Sequence, residues 1–267
     1  MLIRGAGDLA TGAALAFHAA GFGVLMTEIE QPTAIRLTVS FAAAVYRGTC
    51  LVEGVSAERC EDLGWRPVLE RGAVAVLVDP PAGVVTEAVP LVVLDAIMAK
   101  RNLGTRRVDG AVVIALGPGF HAGRDVDAVI ETARGHGLGR IIRDGCAQAD
   151  TGTPGEIAGR TTERVLRAPR DGVVTPLREI GDLVEAGEVI FRVADAEVRA
   201  PFRGCLRGAI SPRVTVTRGM KIGDVDPRAD TAYVHAVSDK ARAVGRAALE
   251  AALVIGRERG LFRVRRG

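Results

Sequence analysis

Five short apolar runs, each closing in glycine, proline or an acid, constrain this chain more than any other feature. They occupy residues 2–4, 24–28, 74–78, 91–94 and 112–116. Valine- and leucine-rich runs of this length have the pattern of strands buried on both faces. Helical spacing fills the gaps. Leu9, Ala13, Ala16 and Phe17 share one face of a segment ending near Ala20, and Pro32 opens a second helix predicted to run to Tyr46. Ser56-Ala-Glu-Arg is a capping signal for a third, reaching about Arg71. Val126, Val129, Ile130 and Ala133 predict a fourth over 126–135, with Asp125 as N-cap or first-turn acid. Strands alternating with helices imply a mostly parallel, doubly wound sheet, assigned to residues 1–160, with ligands beyond the carboxyl ends of its strands.

Two glycine loops fall at such positions. Gly5-Ala-Gly7-Asp8-Leu-Ala10 joins the first strand to the first helix, with an acid, Glu28 or Glu30, about 20 residues past the second glycine. This is the GxGxxA form of a Rossmann-like nucleotide site. In it Gly5 makes the turn, Gly7 lets backbone approach phosphate, Ala10 lets the helix pack closely and Glu28 bonds a ribose hydroxyl. The second loop, Gly117-Pro-Gly119 followed by Gly123, Arg124 and Asp125, joins the last run to the predicted fourth helix, where N–H groups would converge on an anion. Asp95 and Lys100 follow the fourth run. The cofactor-binding set expected along this shared edge is therefore Gly5, Gly7, Asp8, Glu28, Asp95, Lys100, Gly117, Gly119, Gly123 and Arg124. The polar loop from Gly145 to Gly155 is either a cover for the ligand or a linker to the next domain.

Charge and cysteine usage exclude several classes. The net charge is +3, and the one basic cluster, Arg263-Val-Arg-Arg266, has the form of a solvated end and not of a nucleic-acid arm. The histidines show no metal-ligand spacing with one another or with Cys50, Cys60, Cys146 and Cys205, so no metal site is expected. No apolar run reaches membrane-spanning length and the first strand begins at Leu2, which predicts a soluble cytoplasmic protein without a membrane partner. Only three lysines occur, Lys100, Lys221 and Lys240.

From Val165 the pattern changes to short strands separated by turns, and it repeats. Ala168-Pro-Arg-Asp-Gly-Val echoes Ala200-Pro-Phe-Arg-Gly-Cys, and Leu183-Val-Glu-Ala-Gly echoes Thr215-Val-Thr-Arg-Gly, about 32 residues apart. This duplication resembles the biotinyl/lipoyl-type barrel-sandwich hybrid, which implies a small all-β domain over 161–230. Carriers of that family attach their cofactor to a hairpin-tip lysine. The matching tip, Ala194-Asp-Ala-Glu197, has none, and Lys221 lies outside it. The expectation is a scaffold without covalent biotin or lipoate, docking a protein partner or a second copy of itself. Ser238 caps a last helix, Lys240 to about Glu258, in a segment 231–267 that packs back on the first domain.

Several separated motifs together resemble the YqeB family. They are Ile3-Arg-Gly-Ala-Gly-Asp-Leu-Ala-Thr-Gly12, Asp95-Ala-Ile-Met-Ala-Lys-Arg-Asn102, Leu116-Gly-Pro-Gly-Phe120, Ile130-Glu-Thr-Ala-Arg-Gly-His136, Thr151-Gly-Thr-Pro-Gly155 and Lys221-Ile-Gly-Asp-Val-Asp-Pro-Arg228. That family is associated with selenium-dependent molybdenum hydroxylases as an accessory or maturation protein. The resemblance implies handling of molybdenum cofactor, or of its selenium or sulfur ligand, before delivery to the hydroxylase as partner. It carries over no catalytic residue. At Gly145-Cys-Ala the family pattern suggests serine, which raises a selenium or sulfur relay through Cys146; a buried, inert thiol is the expectation. The alternative to a cofactor-binding chaperone is an NAD(P)-dependent oxidoreductase using the first βαβ unit.

Overall fold

The computed structural model describes residues 1–153 and 155–262. The chain is mixed α/β, with a large, mostly parallel sheet and two separate antiparallel sheets. The first sheet comprises β1 (Leu2–Arg4), β2 (Leu25–Glu28), β3 (Thr49–Val52), β4 (Val55–Cys60), β5 (Val74–Val78), β6 (Val92–Asp95), β7 (Val112–Leu116), β8 (Ala128–Ile130) and β9 (Ile141–Ile142). Their spatial order is β3-β4-β5-β2-β1-β6-β7-β8-β9. Pairing is parallel from β4 through to β8 and antiparallel only at the two ends, β3 with β4 and β8 with β9. All five apolar runs are strands, and neighbouring residues face opposite layers, as the pleat requires. Ile3, Met26, Leu94 and Ile114 point into the core beneath α1 (Asp8–Ala19), while Leu2, Leu25, Ala75 and Leu77 meet Trp65 and Val68 on the other face.

Three predicted helices are not formed. Residues 126–135 contain β8, paired in parallel with β7 at Ile114↔Ala128. Val129 and Ile130 are both fully buried, on opposite faces of the sheet. A short run apolar on every side fits a buried strand as well as a helix, and Gly135, Gly137 and Gly139 leave no length for helical turns. Residues 31–46 form a 3-10 turn at Leu37–Val39 and a short α2 (Ala43–Arg47). Ile35 is buried in the antiparallel core, and its carbonyl accepts the Ala209 N–H at 2.9 Å, which holds the segment extended. Ser56 caps nothing. It lies within β4, and the helix there is only α3 (Trp65–Glu70); α4 (Val85–Ala88) is shorter still.

The antiparallel part holds β10 (Val165–Arg167), β11 (Gly172–Pro176), β12 (Leu183–Val184), β13 (Val189–Val193), β14 (Ala196–Arg199), β15 (Gly204–Ala209), β16 (Thr215–Val216) and β17 (Lys221–Asp226). They form two sheets, β10-β17-β15-β12 and β14-β13-β11-β16. The sequence echo has a packing counterpart. Ala168 and Ala200 are both buried, as are Val184 and Val216, in the core that the two sheets share with Ile190, Phe191 and Leu206. After α5 (Ala232–His235), α6 (Asp239–Glu258) lies against α1 and the sheet, burying Val244, Ala248, Ala251, Ala252 and Ile255. Ser238 caps it, its Oγ accepting the Ala241 N–H at 3.1 Å. Among the described helices none is long and apolar enough to cross a membrane.

Asp239, in the first turn of α6, takes both Nη groups of Arg134, which hold its carboxyl down to about 2 from an ordinary 3.8. A carboxyl depressed in the folded state contributes stability that is complete above its unfolded pKa and is lost as pH falls through the folded one. The Arg134→Ala protein should therefore lose acid resistance between about pH 4 and pH 2. In an NMR titration its Asp239 carboxyl should return toward 3.8. An unmoved titration would show that the helix start alone sets the value.

Candidate ligand site

Where the carboxyl edge of β1 and β2 meets the antiparallel sheets, a cavity of about 380 Å³ opens; Gly5, Gly7, Asp8, Glu28, Arg36 and Lys221 contribute to its walls. The β1–α1 turn is built as the GxGxxA pattern predicts. Gly5 has φ +93°, and a Cβ there would stand 2.9 Å from the Ala96 carbonyl oxygen, so glycine is required for both conformation and space. Gly7 is the N-cap of α1, and a Cβ on it would meet nothing within 4 Å. Backbone at Gly7 is thus open to the cavity. Glu28, at the end of β2, folds onto the same turn: Oε2 accepts the Ala6 N–H and Oε1 the Ile29 N–H, each at 2.8 Å. Burial pushes this carboxyl above its usual range, against those two bonds. Asp8 accepts the Leu9 N–H at 3.0 Å through Oδ1 and faces Arg36 at 3.5 Å through Oδ2.

The two cations of the cavity are absent from the expected set. Arg36, 7% exposed, donates through Nη2 to the carbonyls of Tyr233 and Ala236 at 3.3 and 3.1 Å. Its buried Nε has no partner among the described residues. Lys221 opens β17 and reaches the cavity from the antiparallel side; partial desolvation of its ammonium there pushes its pKa down. The sequence points to it through the scarcity of lysine and through its place at the head of the Lys221–Arg228 motif.

Of the expected residues, Gly5, Gly7, Asp8 and Glu28 come together here, and the others lie elsewhere. Asp95 is buried against Arg4 at 3.6 Å, with Thr105 Oγ1 donating to it at 2.5 Å and the Ile97 N–H at 3.2 Å. Lys100 pairs with Asp150. Gly117 and Gly119 have φ of +71° and +110°, and Cβ atoms there would strike Thr132 Oγ1 at 2.7 Å and the Arg101 nitrogen at 2.6 Å. Both pack tightly against protein, and no helix follows to supply converging N–H groups. Gly123 and Arg124 lie at the opposite edge. Because β8 is parallel to β7, the chain from Gly117 must return to the amino ends of the strands before β8 begins. There Arg107 donates to the Gly123 carbonyl at 3.0 Å, and Arg124 pairs with Asp125 beside Arg107, Asp109 and Arg259.

Cys146 is exposed and not buried as expected, whereas Cys60 and Cys205 are buried. The start of the polar loop is tied to the sheet at Gly145, whose carbonyl accepts the Ala122 N–H at 2.8 Å, and at Gln148, whose N–H donates to Glu131 at 2.7 Å. Among the described residues no group of three or more His, Cys, Asp or Glu side chains is arranged to hold a metal ion. The basic tail at 263–266 lies outside the described residues, as does Pro154 of the Thr151–Gly155 motif.

No protein-family model matches the chain. Among solved structures, a product-bound ectoine utilization protein EutE (DoeB) from Ruegeria pomeroyi aligns at 12% identity over 84% of this chain and 52% of its own, with a TM-score of 0.23. A succinylglutamatedesuccinylase/aspartoacylase from Rhodobacter sphaeroides aligns at 23% identity over 32% of this chain and 29% of its own, also at 0.23. Neither likeness bears on activity. The sequence relationship is far stronger. The "Uncharacterized protein YqeB" of Escherichia coli (strain K12) is 51% identical over 256 residues, covering 96% of this chain and 47% of that protein. The chain therefore spans about half the length of the curated relative it matches. With half of all aligned residues identical across almost its whole extent, the chain is a homologue of YqeB.

Proposed function

We propose that this chain acts in the cytoplasm as an accessory or maturation protein for a selenium-dependent molybdenum hydroxylase, holding molybdenum cofactor or a related nucleotide in the cavity beside Gly7. The observation that carries the ligand half of this reading is the open backbone at Gly7, at the start of α1 and flanked by Arg36 and Lys221. The donor set fits the anionic, nucleotide-like end of such a cofactor. The metal is carried in this reading by its pterin and not by protein ligands. In this reading the parallel sheet, residues 1–160, is a Rossmann-like unit. The antiparallel sheets, 161–230, are a barrel-sandwich hybrid without biotin or lipoate, free to dock the hydroxylase or a second copy. The C-terminal segment, expected over 231–267, braces the first unit through α6.

The second reading, an NAD(P)-dependent oxidoreductase, is favoured by GxGxxA and by the acid at the end of β2. It is weakened because both oxygens of Glu28 already accept backbone N–H groups, where a ribose hydroxyl would compete. A thermal-shift series with NAD, NADP and a pterin nucleotide separates the two. Saturating pterin nucleotide is expected to raise the midpoint by about 5 °C or more, the size set by a ligand near a hundredfold above its Kd, with nicotinamide nucleotides inert. A shift with NAD or NADP alone would favour the dehydrogenase.

A further inference from the structure

We propose that Lys221 and Arg36, with the first N–H groups of α1, form a phosphate subsite shared between the parallel sheet and the antiparallel unit. It would take the phosphate or diphosphate group of a nucleotide. The location rests on the ligand reading above; the chemistry rests on four separate observations.

Arg36 is a buried guanidinium with unused capacity. Its Nη2 is spent on two carbonyls, its contact to Asp8 is long at 3.5 Å, and its Nε has no partner among the described residues. A buried donor left without an acceptor is costly, and an oxyanion in the cavity would satisfy it. Lys221 likewise has no ion-pair partner among the described residues. The nearby Asp224 is taken by Arg164, and Asp226 by Arg207 and Arg228. Third, α1 is a 12-residue helix whose Gly7 and Asp8 N–H groups make no hydrogen bond among the described residues. They present the positive end of the helix dipole. Last, the cavity's two acids are partly occupied, Glu28 by the Ala6 and Ile29 N–H groups and Asp8 by the Leu9 N–H. A bound phosphate would exchange the long Asp8–Arg36 contact for a short charge-assisted one. The antiparallel unit thereby contributes to the ligand site itself, a role distinct from docking.

The test measures binding of ADP, adenosine and pyrophosphate by calorimetry, at two salt concentrations. Lys221 is the exposed first residue of β17, so its removal should spare the fold. Lys221→Ala is expected to weaken ADP and pyrophosphate by about tenfold or more, the usual worth of a hydrogen bond to a charged group, and to leave adenosine unaffected. Lys221→Arg should restore most of the loss, while Arg170→Ala, in the turn between β10 and β11 where it pairs with Asp195, should change nothing. Circular dichroism confirms that each variant is folded. If ADP and pyrophosphate bind the parent and Lys221→Ala equally, the subsite is wrong though the nucleotide reading stands. If pyrophosphate binding depends on Lys221 while no pterin or nicotinamide nucleotide binds, the subsite stands and the nucleotide reading falls. Absence of ADP and pyrophosphate binding to the parent at millimolar concentration overturns the subsite.

Discussion

Asp95→Ala should cost about 3–5 kcal/mol of folding stability, the range for leaving one member of a buried ion pair alone. The thermal midpoint should fall by roughly 10 °C. Asp95 is 2% exposed and Arg4 6% exposed, with Thr105 bonded to both. Burial pushes the Asp95 carboxyl up, opposed by Thr105, the Ile97 N–H and Arg4. Removing the carboxylate leaves the buried Arg4 guanidinium without its counter-charge, and its Nε already has no partner among the described residues. Asp95→Asn, which keeps an acceptor for Thr105 and Ile97, should lose less. Ligand affinity of the folded protein should be unchanged in both, because Asp95 lies outside the cavity. A stable Asp95→Ala protein that no longer binds ligand would restore the role that the sequence suggests for this acid.

The second large effect is expected at the crossing of α1 and α6. A Cβ on Gly12 would stand 2.5 Å from the Ala241 carbonyl oxygen, and one on Gly245 would stand 2.4 Å from the Gly12 carbonyl oxygen. These are backbone atoms, which cannot swing aside as a side chain does. In an exposed helix, glycine to alanine is stabilising by about 1 kcal/mol. Here Gly12→Ala and Gly245→Ala should each destabilise, by about 3 kcal/mol, as overpacked cores do. The double variant should cost less than the two losses added, since both relieve themselves by the same separation of the helices. Urea unfolding measures all three. A neutral or stabilised Gly12→Ala protein would mean that α6 sits farther from α1 than the structure has it.

Part of this fold follows from local chemistry alone. Residues 2–4, 74–78 and 112–116 are strands because each run is too short for a helix of useful length and is closed at once by glycine or an acid. The Gly5–Ala10 turn follows from a positive φ at Gly5, the start of α6 from the Ser238 hydroxyl, and the paired antiparallel sheets from an echo that repeats the same buried alanine and valine. The resemblance to YqeB was legible for the same reason, since motifs are local. Tertiary structure decided the rest. Residues 126–133 carry a spacing that fits helix and strand alike, and pairing with β7 selected the strand. That choice removed the helix start expected beside Gly119 and carried Gly123 and Arg124 to the far edge. Ser56 has the chemistry of a cap, yet β5 pairs with its segment. The cavity cations were hidden more deeply. Arg36 enters because Ile35 is anchored in a core built by residues far along the chain, and Lys221 because β17 brings its first residue to the β1–α1 turn. Contacts between segments so distant in sequence leave no periodic trace in either one; only the packed chain brings the two charges to one site.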